Sequence, residues 1–131
     1  MKDCYNSSEV SIMATTITIR NNTLYLNNNP IYFDYSVESV IIHENKVLVL
    51  LDVPTNSNET SNIFLVNMNA EIVWRIQAVK DKYPQRKNTT PFVGISIINN
   101  SLIANDFFGL RYLISIKDGS IIDTVSETRP W

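Results

Sequence analysis

The sequence has very few of the residues that usually build a catalytic or metal-binding centre. Among its 131 residues there is one cysteine, Cys4, and one histidine, His43. A single cysteine excludes an internal disulfide and a cysteine-cluster metal site. One histidine without a second ligand or a nearby nucleophile supports neither a metal centre nor a triad. The sequence therefore predicts no metal, no cofactor and no enzymatic activity.

Long apolar runs and a large excess of one charge are also missing. No stretch approaches the roughly 18 apolar residues of a membrane-spanning helix, and Lys2-Asp3 is followed by polar residues, not by the apolar core of a signal peptide. These features predict a cytoplasmic protein with no membrane contact. Eleven basic and thirteen acidic side chains give a net charge of −2. Four of the basic ones lie in segment 80–87, so the remainder is acidic and argues against a nucleic-acid partner.

Glycine is scarce as well, with three in the chain, and asparagine stands where turns are expected. Asn21-Asn22, Asn27-Asn28-Asn29 and Asn99-Asn100 each separate apolar runs, and asparagine tolerates the left-handed backbone of tight turns. Residues 1–13 are polar and unpatterned, which predicts an N-terminal arm. Residues 14–131 then form a single β domain that opens with a hairpin.

The rest of the domain contains an imperfect internal repeat. Four β-rich runs are followed by four more in the same order, which predicts two copies of a four-strand antiparallel meander at about 37–76 and 92–125. A shift of 49 residues places Ile63-Phe64-Leu65-Val66 on Tyr112-Leu113-Ile114-Ser115, and Asn69-Ala70 on Asp118-Gly119. Asp118-Gly119 is typical of a tight hairpin turn. The predicted class is all-β, with the meanders packed as a half-propeller, a sandwich or an open barrel, and residues 77–91 as a mobile connection.

Two resemblances follow from these segments. The run from Ile63 through Glu71-Ile72-Val73-Trp74-Arg75-Ile76 resembles the last two strands of a quinoprotein-like β-propeller blade, which a tryptophan closes; the second copy has Asp123 in place of Trp74. The layout is also similar to small bacterial β-rich proteins with segments such as Leu51-Asp52-Val53-Pro54 and Asp106-Phe107-Phe108. Proteins of that type occur as immunity proteins beside contact-dependent or polymorphic toxins. The resemblance implies a bacterial protein whose partner is a cognate toxin, a nuclease being one candidate.

An occlusion mechanism would use charged and aromatic side chains in loops and at strand ends. Acidic residues steer association with a basic surface, and exposed aromatic residues supply buried contact area. The residues predicted to bind the partner are Glu38, Asp52, Glu59, Asp106, Phe107 and Phe108.

Two other functions remain open from the sequence. Asp52 and Asp106 end the second strands of their copies, so the repeat predicts that they lie on the same rim of the fold. A small hydrolytic or ligand-binding domain would place a pocket near Asp52, Asp106 and His43, because paired carboxylates serve acid-base chemistry when a few ångströms apart. The commoner role of an aspartate at a strand end is to cap a turn. A structural fragment related to propeller blades would instead leave a long sheet edge exposed and self-associate.

Overall fold

The computed structural model describes residues 16–125, and it is almost entirely β. The strands are β1 (Ile17–Arg20), β2 (Thr23–Leu26), β3 (Asn29–Tyr32), β4 (Ser36–His43), β5 (Lys46–Asp52), β6 (Ile63–Asn67), β7 (Ile72–Arg75), β8 (Phe92–Ile98), β9 (Ser101–Asp106), β10 (Arg111–Ile114) and β11 (Ile121–Thr124). One short helix, α1 (Val79–Lys82), lies between β7 and β8. No helix in the described part of the chain is long and apolar enough to cross a membrane.

The strands form three antiparallel sheets, each made from consecutive segments of the chain. The first sheet is β1-β2-β3, the second β4-β5-β6-β7 and the third β8-β9-β10-β11. The two predicted four-strand meanders are confirmed. The predicted N-terminal hairpin is extended by β3, which pairs with β2 along its whole length.

Asparagine makes most of the tight turns, as the sequence predicts. Left-handed φ angles occur at Asn21, Asn27, Asn28, Asn45, Asn99 and Asn100, and also at Glu44 and Ala70. Two successive residues of this kind give a turn whose twist matches that of the flanking strands. The Asp118-Gly119 turn is looser than predicted, because Ser115 and Ser120 close the loop: the Ser115 N–H donates to the Ser120 carbonyl at 2.8 Å.

The sheets stack face to face, with the second sheet in the middle. Strand β5 shows why: Val47, Val49 and Leu51 pack in one core cluster with the first sheet, whereas Leu48 and Leu50 pack in the other with the third. Both faces of this strand are buried, so its sequence is a continuous apolar run instead of an alternating one. The three layers form an open stack and not a closed barrel.

The two four-stranded sheets repeat each other in detail. Leu50 pairs with Ile63 in the second sheet as Ala104 pairs with Tyr112 in the third. Both sheets have a register shift in their first hairpin, at Glu38 and at Val93, and another in their last hairpin. A shift of this kind bends the strand and redirects the extra side chain.

Hydrogen bonds of Asn62 and of Trp74 help to join the second and third sheets. Asn62 is fully buried; its amide nitrogen donates to the carbonyls of Leu51 (2.8 Å) and Phe92 (2.9 Å), and its oxygen accepts from the Phe92 N–H (2.9 Å). The Trp74 indole N–H donates to the Ile116 carbonyl at 2.8 Å, and its ring lies against Gly119. A β-carbon on Gly119 would come 2.6 Å from the ring.

The connection 77–91 was predicted to be mobile, and the structure shows it attached to the third sheet. Val79 is buried in the core, and an Arg86 Nη donates to the Tyr112 hydroxyl at 2.6 Å. The Arg86 guanidinium also lies 4.9 Å from the centre of the Tyr83 ring, within cation–π range. A short helix forms within the predicted segment, at Val79–Lys82.

Candidate functional site

Most of the predicted contact residues lie at one end of the stack, where β5 and β9 end. We call this end the Asp rim and define it by Asp52 and Asp106. Asp52 pairs with Ser36 at the start of β4, and Asp106 pairs with Phe92 at the start of β8. The two aspartates are therefore equivalent positions of the repeat, and the expectation that they share a rim is confirmed.

Asp106 has a structural role at this rim. Its side chain is 3% exposed, and one carboxylate oxygen accepts hydrogen bonds from the N–H groups of Phe108 and Leu110, both at 3.0 Å. The Asp106 carbonyl accepts a third hydrogen bond, from the Gly109 N–H. The carboxylate thus stabilises the β9–β10 loop from within. Asp106 does not present its charge on the surface, as the occlusion hypothesis expected it to do.

The loop that Asp106 shapes carries the exposed aromatic pair. Phe107 and Phe108 are each 59% exposed, and their rings contact each other edge to face with centroids 5.7 Å apart. Leu110 is also exposed. The Phe107 N–H donates to the Thr90 hydroxyl at 3.3 Å, which attaches the loop to the connection before β8. The aromatic pair is therefore displayed on a backbone held at both ends.

Beside this loop lies an acidic cleft of about 150 Å³. Glu38 and Asp52 line it together with Phe92 and Val93, and both Glu38 and Val93 are the extra residues of their register shifts. Phe92 links the cleft to the aromatic loop, since it pairs with Asp106. Within residues 16–125, no basic side chain forms an ion pair with Glu38 or Asp52. The rim therefore combines two carboxylates that have no ion-pair partner in this range with exposed apolar side chains.

Glu59 lies apart from this cleft and is already paired. Its carboxylate is 2.7 Å from an Arg75 Nη, and it accepts a hydrogen bond from the Ser61 N–H at 2.9 Å. The Arg75 Nε–H donates to the Ser61 carbonyl at 2.7 Å. These contacts fold the β5–β6 loop back on β7, and they neutralise the charge that the occlusion hypothesis assigned to a partner.

The alternative pocket near Asp52, Asp106 and His43 is not assembled. His43 pairs with Lys46 at the first end of β5, whereas Asp52 is at the last. Strand β5 has seven residues, so its ends are roughly 20 Å apart. His43 lines a different cleft with Glu44, Lys46, Leu65, Ile116 and Lys117. In the described residues there is also no group of three or more histidine, cysteine or acidic side chains placed to hold a metal ion.

Two ionisable groups have environments that change their protonation. Burial raises the pKa of the Tyr112 hydroxyl, while the nearby Arg86 acts in the opposite direction and Asp106 adds to the rise. Hydrogen bonds from the Ser120 N–H and hydroxyl lower the pKa of Asp118. Neither group lines the acidic cleft or the cleft of His43, so we assign both shifts to loop and core structure.

Sequence reasoning missed Val93, Leu110 and Asn62. Val93 and Leu110 enlarge the apolar part of the Asp rim, and each sits within an otherwise ordinary strand or loop segment. Asn62 gave no signal because a polar residue before a strand is usually a turn residue. Val93 and Glu38 occupy similar places in the two copies of the repeat. Glu38 lies two residues after the partner of Asp52, and Val93 lies one residue after the partner of Asp106.

Taken together, the stack of three meanders and the Asp rim define a small all-β protein with an exposed apolar and acidic end. The chain matches the family model described as "Domain of unknown function (DUF7957)" over residues 14–125. That match covers most of the sequence, so the chain belongs to this family. No curated protein matches it significantly.

Proposed function

We propose that this protein is a non-enzymatic protein-binding module, and specifically an immunity protein that covers the active surface of a cognate bacterial toxin. The observation that carries the binding function is the β9–β10 loop, which displays Phe107 and Phe108 to solvent on a backbone fixed by Asp106. The immunity role rests on the resemblance of the sequence segments, and the rim geometry is compatible with occlusion.

An exposed aromatic pair on a fixed loop is well suited to binding. Burying one phenylalanine side chain contributes about 1.5–3 kcal/mol, and aromatic residues near the centre of an interface often dominate its energy. The loop does not have to be ordered on binding, because the Asp106 carboxylate and the Thr90 hydroxyl already hold it. Less conformational entropy is then lost in the complex.

The acidic cleft indicates the charge of the partner. Glu38 and Asp52 stand next to the apolar loop without a basic neighbour in the described part of the chain. A partner with lysine or arginine side chains around an apolar contact would complement this arrangement. Opposite charges at the edge of an interface chiefly accelerate association, and salt screens them.

The test is co-expression of the tagged protein with the products of neighbouring genes, followed by capture, a salt wash and mass spectrometry. We expect one stoichiometric partner with a toxic domain, protection of cells that express that toxin, and loss of both in F107S/F108S. The control is I42S/I98S, which removes two exposed apolar side chains at the opposite end of the stack. Equal binding by both double variants, or the absence of any bound toxin, would overturn the proposal.

A further inference from the structure

A separate cleft lies between the β5–β6 loop and the connection that follows β7. Its volume is about 350 Å³, and it is lined by Ser57, Asn58, Thr60, Ala78, Lys80, Lys87 and Thr89. The lining thus contains two ammonium groups, three hydroxyls and one amide, and no carboxylate. We infer that this lysine-hydroxyl cleft binds the phosphate group of a phosphate monoester.

The chemistry of the lining is that of a phosphate site. Ammonium groups supply positive charge, and hydroxyl and amide groups donate to the remaining oxygens of the anion. The Ser57 hydroxyl oxygen accepts from the Glu59 N–H at 3.0 Å, so its own proton is free to be donated. The hydroxyls of Thr60 and Thr89 form no hydrogen bond with another residue of the described range.

The nearest acidic side chain in the β5–β6 loop is directed elsewhere. Glu59 lies between two lining residues in sequence, but its carboxylate pairs with Arg75 at 2.7 Å. That ion pair keeps a negative charge away from the cleft and fixes the loop that carries Ser57, Asn58 and Thr60. The positive potential of Lys80 and Lys87 is therefore not cancelled by this neighbour.

The opposite wall is also fixed before any ligand arrives. Val79 is buried beside Lys80, and Arg86, which precedes Lys87, is hydrogen-bonded to Tyr112 at 2.6 Å. Thr90 is buried next to Thr89. The two lysines thus extend from a backbone attached to the third sheet, and little ordering of the chain opposes binding.

The size of the cleft indicates an ester instead of the bare anion. Small-molecule sites usually have volumes of about 300–1,000 Å³, and this cleft is within that range. A lipid headgroup and a small soluble ester share the same phosphate chemistry.

Helix α1 provides a matched control variant. Each helical residue is rotated by about 100° from the one before it, so Lys82 points away from Lys80. Lys82 carries the same charge as Lys80 and does not line the cleft.

The experiment is a titration of the full-length, ¹⁵N-labelled protein with inorganic phosphate and with glycerol 3-phosphate, at constant low ionic strength maintained with chloride. We expect saturable amide shifts confined to residues 57–60, 78–80 and 87–89, with tighter binding of the ester. K80Q and K87Q should each weaken binding about tenfold, the usual effect of losing one charged hydrogen bond. K82Q should bind as the parent protein does.

Chloride alone producing the same shifts, or an equal loss in K82Q, K80Q and K87Q, would overturn the inference by showing general charge screening. Failure of both phosphate compounds to give saturable shifts would overturn it as well. Sedimentation with phosphatidylcholine vesicles containing phosphatidic acid identifies the source of the group: binding that depends on Lys80 and Lys87 indicates a lipid, and soluble ester binding without it indicates a small molecule. The toxin capture experiment does not depend on this result.

Discussion

Replacing Gly119 by alanine gives a quantitative test of how the second and third sheets are joined. Gly119 has φ +78°, and a β-carbon there would lie 2.6 Å from Trp74 Cε3 and 3.1 Å from the Arg75 carbonyl oxygen. The left-handed backbone costs an alanine about 1–2 kcal/mol, and forcing an extra methyl group into a packed site costs about 1–3 kcal/mol. We expect G119A to lower the free energy of unfolding by about 2–5 kcal/mol.

Gly109 is the matched control for the backbone contribution. It has φ +86°, but a β-carbon there meets no atom within 4 Å. G109A should therefore lose only about 1–2 kcal/mol. Urea unfolding of the two variants, with an unchanged dependence on denaturant, measures the difference. In a W74L background the cost of G119A should fall toward that of G109A, and the approach to the Arg75 carbonyl oxygen accounts for what remains; a double-mutant cycle detects the decrease. Equal destabilisation by G119A and G109A in the parent protein would refute the assigned contact with Trp74.

Three further changes test the core and the rim. N62D keeps the side-chain shape but cannot donate to the Leu51 and Phe92 carbonyls, so the free energy of unfolding measured in urea should fall by about 2–5 kcal/mol. A decrease below about 1 kcal/mol would contradict the burial of this amide. The pKa of Tyr112 is raised in the folded protein, so the tyrosine of the unfolded chain ionises first, and the free energy of unfolding should decrease as pH rises above about 10. If the free energy of unfolding of Y112F decreased as steeply with pH, this cause would be excluded. D106A removes the acceptor of two loop N–H groups and should cost about 1–3 kcal/mol, while D106N retains an oxygen and should cost less; amide exchange at residues 107–110 distinguishes a loosened loop from a global effect.

The fold was largely predictable because its information is local. Each sheet is a consecutive meander, so alternating patterns and asparagine turns identify the strands without reference to distant residues. The continuous apolar run of β5 also indicates burial on both faces. The stacking order was not predictable, because a sandwich, a half-propeller and an open barrel all use the same apolar faces.

The site was predictable only in outline. The sequence correctly placed Asp52 and Asp106 at one rim, but it could not show that Asp106 turns inward to the N–H groups of its own loop while Asp52 stays exposed. Two equivalent aspartates differ here because the loop after Asp106 is short and that after Asp52 is long. Segment 77–91 is anchored in part through Tyr112, which is distant in sequence, so the local pattern predicted a mobile connection instead.

The burial of β5 on both faces has a consequence for how the molecule comes apart. Within residues 16–125 no hydrogen-bonded ladder crosses from one sheet to another, so the layers depend on side-chain packing and on a few contacts such as that of Asn62. Each outer sheet has one buried interface, whereas the middle sheet has two, one on each face. Stability is therefore coupled between neighbouring layers. Detachment of either outer sheet exposes leucine or valine side chains of the same central strand, β5, and thereby destabilises the rest of the stack.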